Sequence, residues 1–314
     1  MDRHPGPGGT VAEGTARTHF EEAERQYLDS YDVAVRTRFV ELSDPALRLR
    51  IVESGEGPPA LLLHSAGCFA LQWLPLFPHL QDFHLFAPDM PGRGLSDRFD
   101  YRGVDVRAHG AGVVEALLDA LGLDHAVVIG SSFGAYRALA VAHLAPDRVA
   151  ALVLVGSPAL VLDNRDVALP VRLLAVPGLG RLLLVLSSEK QERSGWQAFS
   201  GEQAVERLPD TFFTYSYREG RLPGSARTIA TLFARLLTLR GWRHAISWTA
   251  AELAEIDTRT LLVWGQQDVF GSVQLAERVV EAMPDAQLAL MEAGHHPWYD
   301  DPQCCAELIR EFIG

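Results

Sequence analysis

Hydrophobic and polar positions along the chain follow a regular rhythm that breaks off in the middle and then resumes. From residue 38, "RFVEL" and "LRLRIVESG" alternate apolar and polar side chains, the period-two pattern of half-buried strands. The next run, "ALLLHS", is almost continuously apolar, as in a strand buried on both faces. Strand and helix patterns then take turns: "FHLFAPDM", a helix through "VRAHGAGVVEALLDALG", "HAVVIGS", a helix over about 133–143, and "VAALVLVGS". Parallel neighbours must be joined by crossovers, so this alternation predicts an α/β domain with a mostly parallel central sheet flanked by helices.

The rhythm stops over residues 159–254, which hold helix-like segments and loops, and resumes with "TLLVWGQQD", a helix, "AQLALMEA" and a final helix. This predicts a core of residues 38–158 and 255–314 interrupted by a helical insertion. Ahead of the core, residues 18–37 read as a helix, with Thr18 as its cap, Glu21 three positions on, and Phe20, Ala23 and Tyr27 at helical spacing. Its apolar face fits either the chain's own core or a second copy in a homo-oligomer. Residues 1–17, rich in Gly, Pro and Thr, read as a flexible lead-in and not as a targeting segment.

A hydrophobic share of 48% over 314 residues is enough to fill a sizeable core. The net charge of −12, with no Lys/Arg-rich run, argues against a nucleic-acid partner. The most membrane-like stretch, residues 167–186, is broken by Pro170, Arg172, Pro177 and Arg181, so no membrane partner is expected and the stretch reads as short helices covering something apolar. Three cysteines, Cys68 and the neighbours Cys304 and Cys305, make a poor disulfide framework and favour a cytoplasmic setting.

The candidate chemistry begins at "VVIGSSFG", an apolar strand running into a turn and a helix, which is the setting of a G-x-S-x-G nucleophile elbow. Such a turn brings the residues two before and two after the nucleophile nearly into contact, leaving little room for side chains. Ser132 has Gly130 and Gly134 at those positions, whereas Ser131 would put Ile129 and Phe133 there, so Ser132 is the candidate nucleophile. A serine hydroxyl needs a base to take its proton and an acid to orient that base. Asp268 ends one downstream strand, and His295 and His296 end the last, both at carboxyl ends where open α/β sheets build their sites. Either alone is an ordinary loop residue; the order serine, acid, histidine is what gives them weight.

Together these segments resemble the α/β-hydrolase superfamily, in its cap-bearing serine hydrolase branch of bacterial esterases, C–C hydrolases, lactonases and perhydrolases, from about residue 38 to the end. The resemblance rests on five ordered motifs: "LLLHSAG", "FAPDMPGRGLSD", the elbow, "VWGQQD" and "EAGHHPWYDDP". It implies a catalytic triad of Ser132, Asp268 and His295, with His296 facing the pocket entrance or packing. It implies an oxyanion hole from the backbone N–H groups of Ala66 and Phe133, and a helical cap over residues 159–254. A serine nucleophile disfavours the dehalogenase and epoxide hydrolase chemistries, which use aspartate. Where the family usually has His-Gly, this chain has His64-Ser65; His64 is expected to be structural, and Ser65 either adds a hydrogen bond or simply fits the turn.

Aromatic and aliphatic residues concentrated in the insertion predict an apolar pocket, with Ser65, Trp73, Trp196, Tyr215 and His296 as candidate lining, Phe133 as a further wall residue and Cys68 as wall or core. The expected activity is hydrolysis of an ester, lactone or similar acyl bond of a small hydrophobic or aromatic substrate through an acyl-enzyme on Ser132, without cofactor or metal. Rival readings on the same fold are C–C bond hydrolysis, thioester hydrolysis or acyl transfer, a non-hydrolytic cyclase or lyase, and a binding protein.

Overall fold

The computed structural model describes residues 11–314. Its strands are β1 (Arg36–Leu42), β2 (Leu47–Ser54), β3 (Pro59–Leu63), β4 (His84–Pro88), β5 (Ala126–Ser131), β6 (Val149–Val155), β7 (Leu237–Thr238), β8 (Gly241–Trp242), β9 (Thr260–Gly265) and β10 (Ala286–Met291). Eight of them form one sheet in the order β1-β2-β4-β3-β5-β6-β9-β10, while β7 and β8 pair separately. Only the contacts of β2 with β1 and β4 are antiparallel in the large sheet; all others are parallel. The strand-helix alternation in the sequence is thus realised as an α/β-hydrolase fold. Strand β5 lies between β3 and β6 and is buried throughout, so the residues leaving its carboxyl end start from a rigid base.

The helices are α1 (Val11–Leu28), α2 (Val106–Leu121), α3 (Phe133–Leu144), α4 (Leu169–Leu173), α5 (Leu179–Leu186), α6 (Glu189–Ser200), α7 (Glu202–Arg207), α8 (Asp210–Gly220), α9 (Ser225–Leu236), α10 (Ala250–Leu253), α11 (Val273–Ala282), α12 (Pro297–Asp300) and α13 (Pro302–Ile313). Helices α4 to α10 all fall between β6 and β9. Among them α4 and α5 occupy most of the apolar 167–186 stretch, with Leu182 and Leu186 exposed. No described helix is long and apolar enough to cross a membrane.

The first helix departs from expectation. It runs over Val11–Leu28 rather than 18–37, and Thr18 is no cap: it sits inside the helix, where its hydroxyl donates to the Gly14 carbonyl. Alanine, glutamate and arginine ahead of Thr18 favour helix, so the helix extends backward into the expected lead-in, whose residues 1–10 lie outside the described residues. Phe20 and Tyr27 are fully buried, and their rings meet Tyr215 of α8 at 5.3 and 5.6 Å. The same helix reaches the sheet through charge. Buried Arg50 of β2 donates to Glu24 at 2.6 Å and to Asp89 at 3.2 Å, and Asp89 also accepts from the Ala70 N–H.

Candidate active site

At the end of β5 the chain turns so sharply that a Cβ on Gly130 would stand 2.5 Å from the Gly134 carbonyl oxygen. One on Gly134 would stand 1.9 Å from the Leu63 carbonyl oxygen. The first contact is the constraint expected from the motif; the second shows that the elbow also leans on the loop after β3. Between the glycines, Ser132 has φ 53° and ψ −116°, a region that costs energy for a side chain bearing a Cβ. Ser131 is instead the last residue of β5, fully buried, and accepts a hydrogen bond from Ser65.

Asp268 and His295 are 27 positions apart but meet because β9 and β10 are parallel neighbours. His295 Nδ1 lies 2.9 Å from both Asp268 carboxylate oxygens. The backbone N–H groups of Ser157 and Phe270 donate to the same carboxylate, each at 2.8 Å, which fixes it against rotation. With Nδ1–H given to Asp268, Nε2 of a neutral His295 carries the lone pair that can take a proton. The Phe270 ring packs edge-on against His295 at 4.6 Å.

Ser132 and His295 share the wall of a cavity of about 320 Å³ beneath the inserted helices. The Ser132 hydroxyl bonds to no described residue; contacts of this kind tighten when substrate seats. Ala66 lines the same cavity, and Phe133 opens α3, where the first N–H groups lack intrahelical partners and carry the positive end of the helix dipole. No described carbonyl accepts from either the Ala66 or the Phe133 N–H. A strained serine, a carboxylate-held imidazole and two uncommitted N–H groups can together attack a carbonyl, relay its proton and hold the resulting oxyanion.

Of the expected pocket residues, Ser65, Trp196 and His296 line the cavity, as does Cys68. Trp73 does not: it is fully buried and stacked on Trp298 at 4.4 Å, in the segment beneath the loop after β3. Tyr215 does not either, because its ring is consumed in the cluster with Phe20, Tyr27 and Phe69 that binds α1 to α8. Phe133 turns its ring into the core, stacked on Tyr136 at 5.5 Å with the Arg137 guanidinium over it. Phe199, Phe233, Trp242 and Phe270 supply aromatic wall in their place.

The cavity's polar groups are mostly tied to one another. Arg93 donates to the Cys68 and Gly67 carbonyls, to Ser225 and to buried Glu219 of α8, and Glu219 also accepts from the Gly94 N–H. Arg221 donates to the Val185 and Ser187 carbonyls and to the Ser187 hydroxyl. Sequence reasoning missed this lattice because its partners lie 126 residues apart and only the insertion's packing joins them. Burial pushes the Cys68 thiol up to about 12, which leaves it a poor nucleophile. Burial, aided by the Arg137 charge, lowers His64 to about 3. That neutral ring accepts from the Met90 N–H at 3.0 Å and donates to the Ser65 carbonyl at 2.8 Å, a structural brace.

Residues 58–302 match the alpha/beta hydrolase fold family. The chain is 28% identical over 299 residues to an uncharacterised protein of Mycobacterium tuberculosis, covering 87% of this chain and 82% of that one. It is 25% identical over 299 residues to the 2-hydroxy-6-oxo-6-phenylhexa-2,4-dienoate hydrolase of Burkholderia cepacia, covering 88% and 96%. In three dimensions it is similar to carboxylesterase CesB of Bacillus subtilis, with a TM-score of 0.75, 20% identity, and 95% and 98% of the two chains covered. With its fold and more than three quarters of its length matching, this chain belongs to the alpha/beta hydrolase fold family.

Proposed function

We propose that the protein hydrolyses an ester, lactone or similar acyl bond of a small, uncharged, hydrophobic molecule through an acyl-enzyme on Ser132. The observation that carries this reading is the cavity itself: Ser132, His295 and Ala66 stand in a wall otherwise dominated by Phe199, Phe233, Trp242, Val171, Leu174 and Leu184. His295 Nε2 takes the Ser132 proton as Oγ attacks the carbonyl carbon. The oxyanion is stabilised by the N–H groups of Ala66 and Phe133, and Asp268 stabilises the imidazolium. His295 then gives the proton to the leaving oxygen, accepts one from water, and the hydroxide releases the acid and restores Ser132.

A second reading is C–C bond hydrolysis, favoured by the similarity to the Burkholderia dienoate hydrolase. That relative's named substrate carries a carboxylate. Both arginines in the cavity wall are already engaged by protein acceptors, and the Arg221 nitrogen without a partner, Nε, is buried, which favours an uncharged ligand. The two readings separate on a substrate panel. With p-nitrophenyl esters from acetyl to decanoyl beside 2-hydroxy-6-oxo-6-phenylhexa-2,4-dienoate, we expect kcat/KM to rise with acyl length to a limit set by the cavity and to exceed that for the dienoate. Faster turnover of the dienoate than of every ester would reverse the choice.

A further inference from the structure

Ser65, His296 and Ser200 come from three separate places: the loop after β3, the loop after β10, and the last turn of α6. They form one buried chain. Ser200 Oγ lies 2.7 Å from His296 Nδ1, His296 Nε2 lies 3.3 Å from Ser65 Oγ, and Ser65 Oγ donates to Ser131 Oγ at 3.1 Å. All four side chains are buried. The contact is enforced by the backbone, since a Cβ on Gly294 would stand 2.1 Å from the Ser200 carbonyl oxygen.

The hydrogen-bond directions follow from proton counting. Burial and the neighbouring His295 hold His296 well below the ordinary histidine range, so its ring is neutral and has one N–H. The single hydroxyl proton of Ser65 is given to Ser131, so at the His296 contact the Ser65 oxygen accepts. His296 therefore carries its proton on Nε2, and Nδ1 accepts from Ser200. Every bond points the same way, from Ser200 through His296 and Ser65 to Ser131, and a hydroxyl that accepts a hydrogen bond is a stronger donor.

Ser65 also lines the cavity next to Ala66, and its backbone is outside the positive-φ region, so the serine needs no glycine-like turn. We propose that the Ser65 hydroxyl is a third oxyanion donor, turning from Ser131 to the tetrahedral intermediate, with His296 and Ser200 as positioning residues that hold and polarise it. This rests on Ser132 being the nucleophile. It assigns a purpose to the paired histidines: His295 moves the proton, and His296 orients the donor while linking the inserted helices to the oxyanion loop.

The test is steady-state and single-turnover hydrolysis of p-nitrophenyl butyrate by Ser65→Ala, His296→Ala, His296→Gln and the double variant Ser65→Ala/His296→Ala. Each protein is also titrated to completion with a fluorophosphonate to count reactive Ser132. Ser65→Ala is expected to lower kcat by about 10²-fold with KM changed less than about threefold. His296→Ala should lose about tenfold, and the double variant should be no slower than Ser65→Ala within about twofold, because His296 acts through Ser65. His296→Gln, which keeps one donor and one acceptor, should recover most of the loss. If Ser132 labels fully in all variants while Ser65→Ala keeps its acylation rate, or if the two losses multiply, the third-donor assignment is overturned. If the wild type itself does not label, the nucleophile reading fails first.

Discussion

The feature of greatest consequence at the residue scale is the pair Asp268 and His295. Two backbone N–H groups and one imidazole converge on the carboxylate, so it is ordered before any substrate arrives. Asp268→Asn keeps the shape but offers an amide where the imidazole needs an acceptor, which favours the wrong histidine tautomer. The expected outcome is a fall in kcat of about 10³- to 10⁴-fold in a protein that still folds, with a lowered melting temperature because the amide nitrogen faces one of the two backbone N–H donors; activity near wild type would move the acid to another carboxylate. This pair was legible in the sequence because order along the chain and position at strand ends are one-dimensional facts. The sharp turn at Ser132 was legible for the same reason, through the glycines on either side. Trp73 and Tyr215 were misplaced because an aromatic residue looks alike in sequence whether it faces a cavity or a neighbouring ring; Trp298 and Tyr27, the rings that absorb them, are far away in the chain.

At the scale of elements, the alternation of strands and helices could be read because the central strands, buried on both faces, leave nearly continuous apolar runs. The start and partner of α1 could not. Its buried rings are matched to α8 of the insertion, and its Glu24 to Arg50 of β2, partners that lie far from it in the chain. The Glu24–Arg50–Asp89 cluster ties α1, the sheet and the Asp89 segment together around charges that are almost wholly removed from water. Removing its centre leaves two buried carboxylates without a counter-charge. Arg50→Ala should therefore cost about 3–5 kcal/mol in urea unfolding, whereas Glu21→Ala, which breaks an exposed pair with Arg17, should change stability by less than about 1 kcal/mol. Equal midpoints for the two variants would show that the cluster does not hold α1 to the sheet.

For the whole molecule, the sheet presents Ser132, Asp268 and His295 at the carboxyl ends of β5, β9 and β10, and the helices between β6 and β9 roof them with apolar side chains. Which faces of those helices look inward depends on the sheet below them, so the roof's existence was readable in the sequence and its lining largely was not. The same roof reaches the loop after β10 through Ser200 and His296 and the loop after β3 through Glu219 and Arg93. The proposed chemistry depends on Ser132 being an activated nucleophile. The direct measurement is the intact mass of the protein after exposure to a small fluorophosphonate, for wild type, Ser132→Ala and Ser131→Ala. One adduct on wild type and on Ser131→Ala, with none on Ser132→Ala, is the predicted result. An adduct that persists in Ser132→Ala, or one lost only in Ser131→Ala, would contradict it.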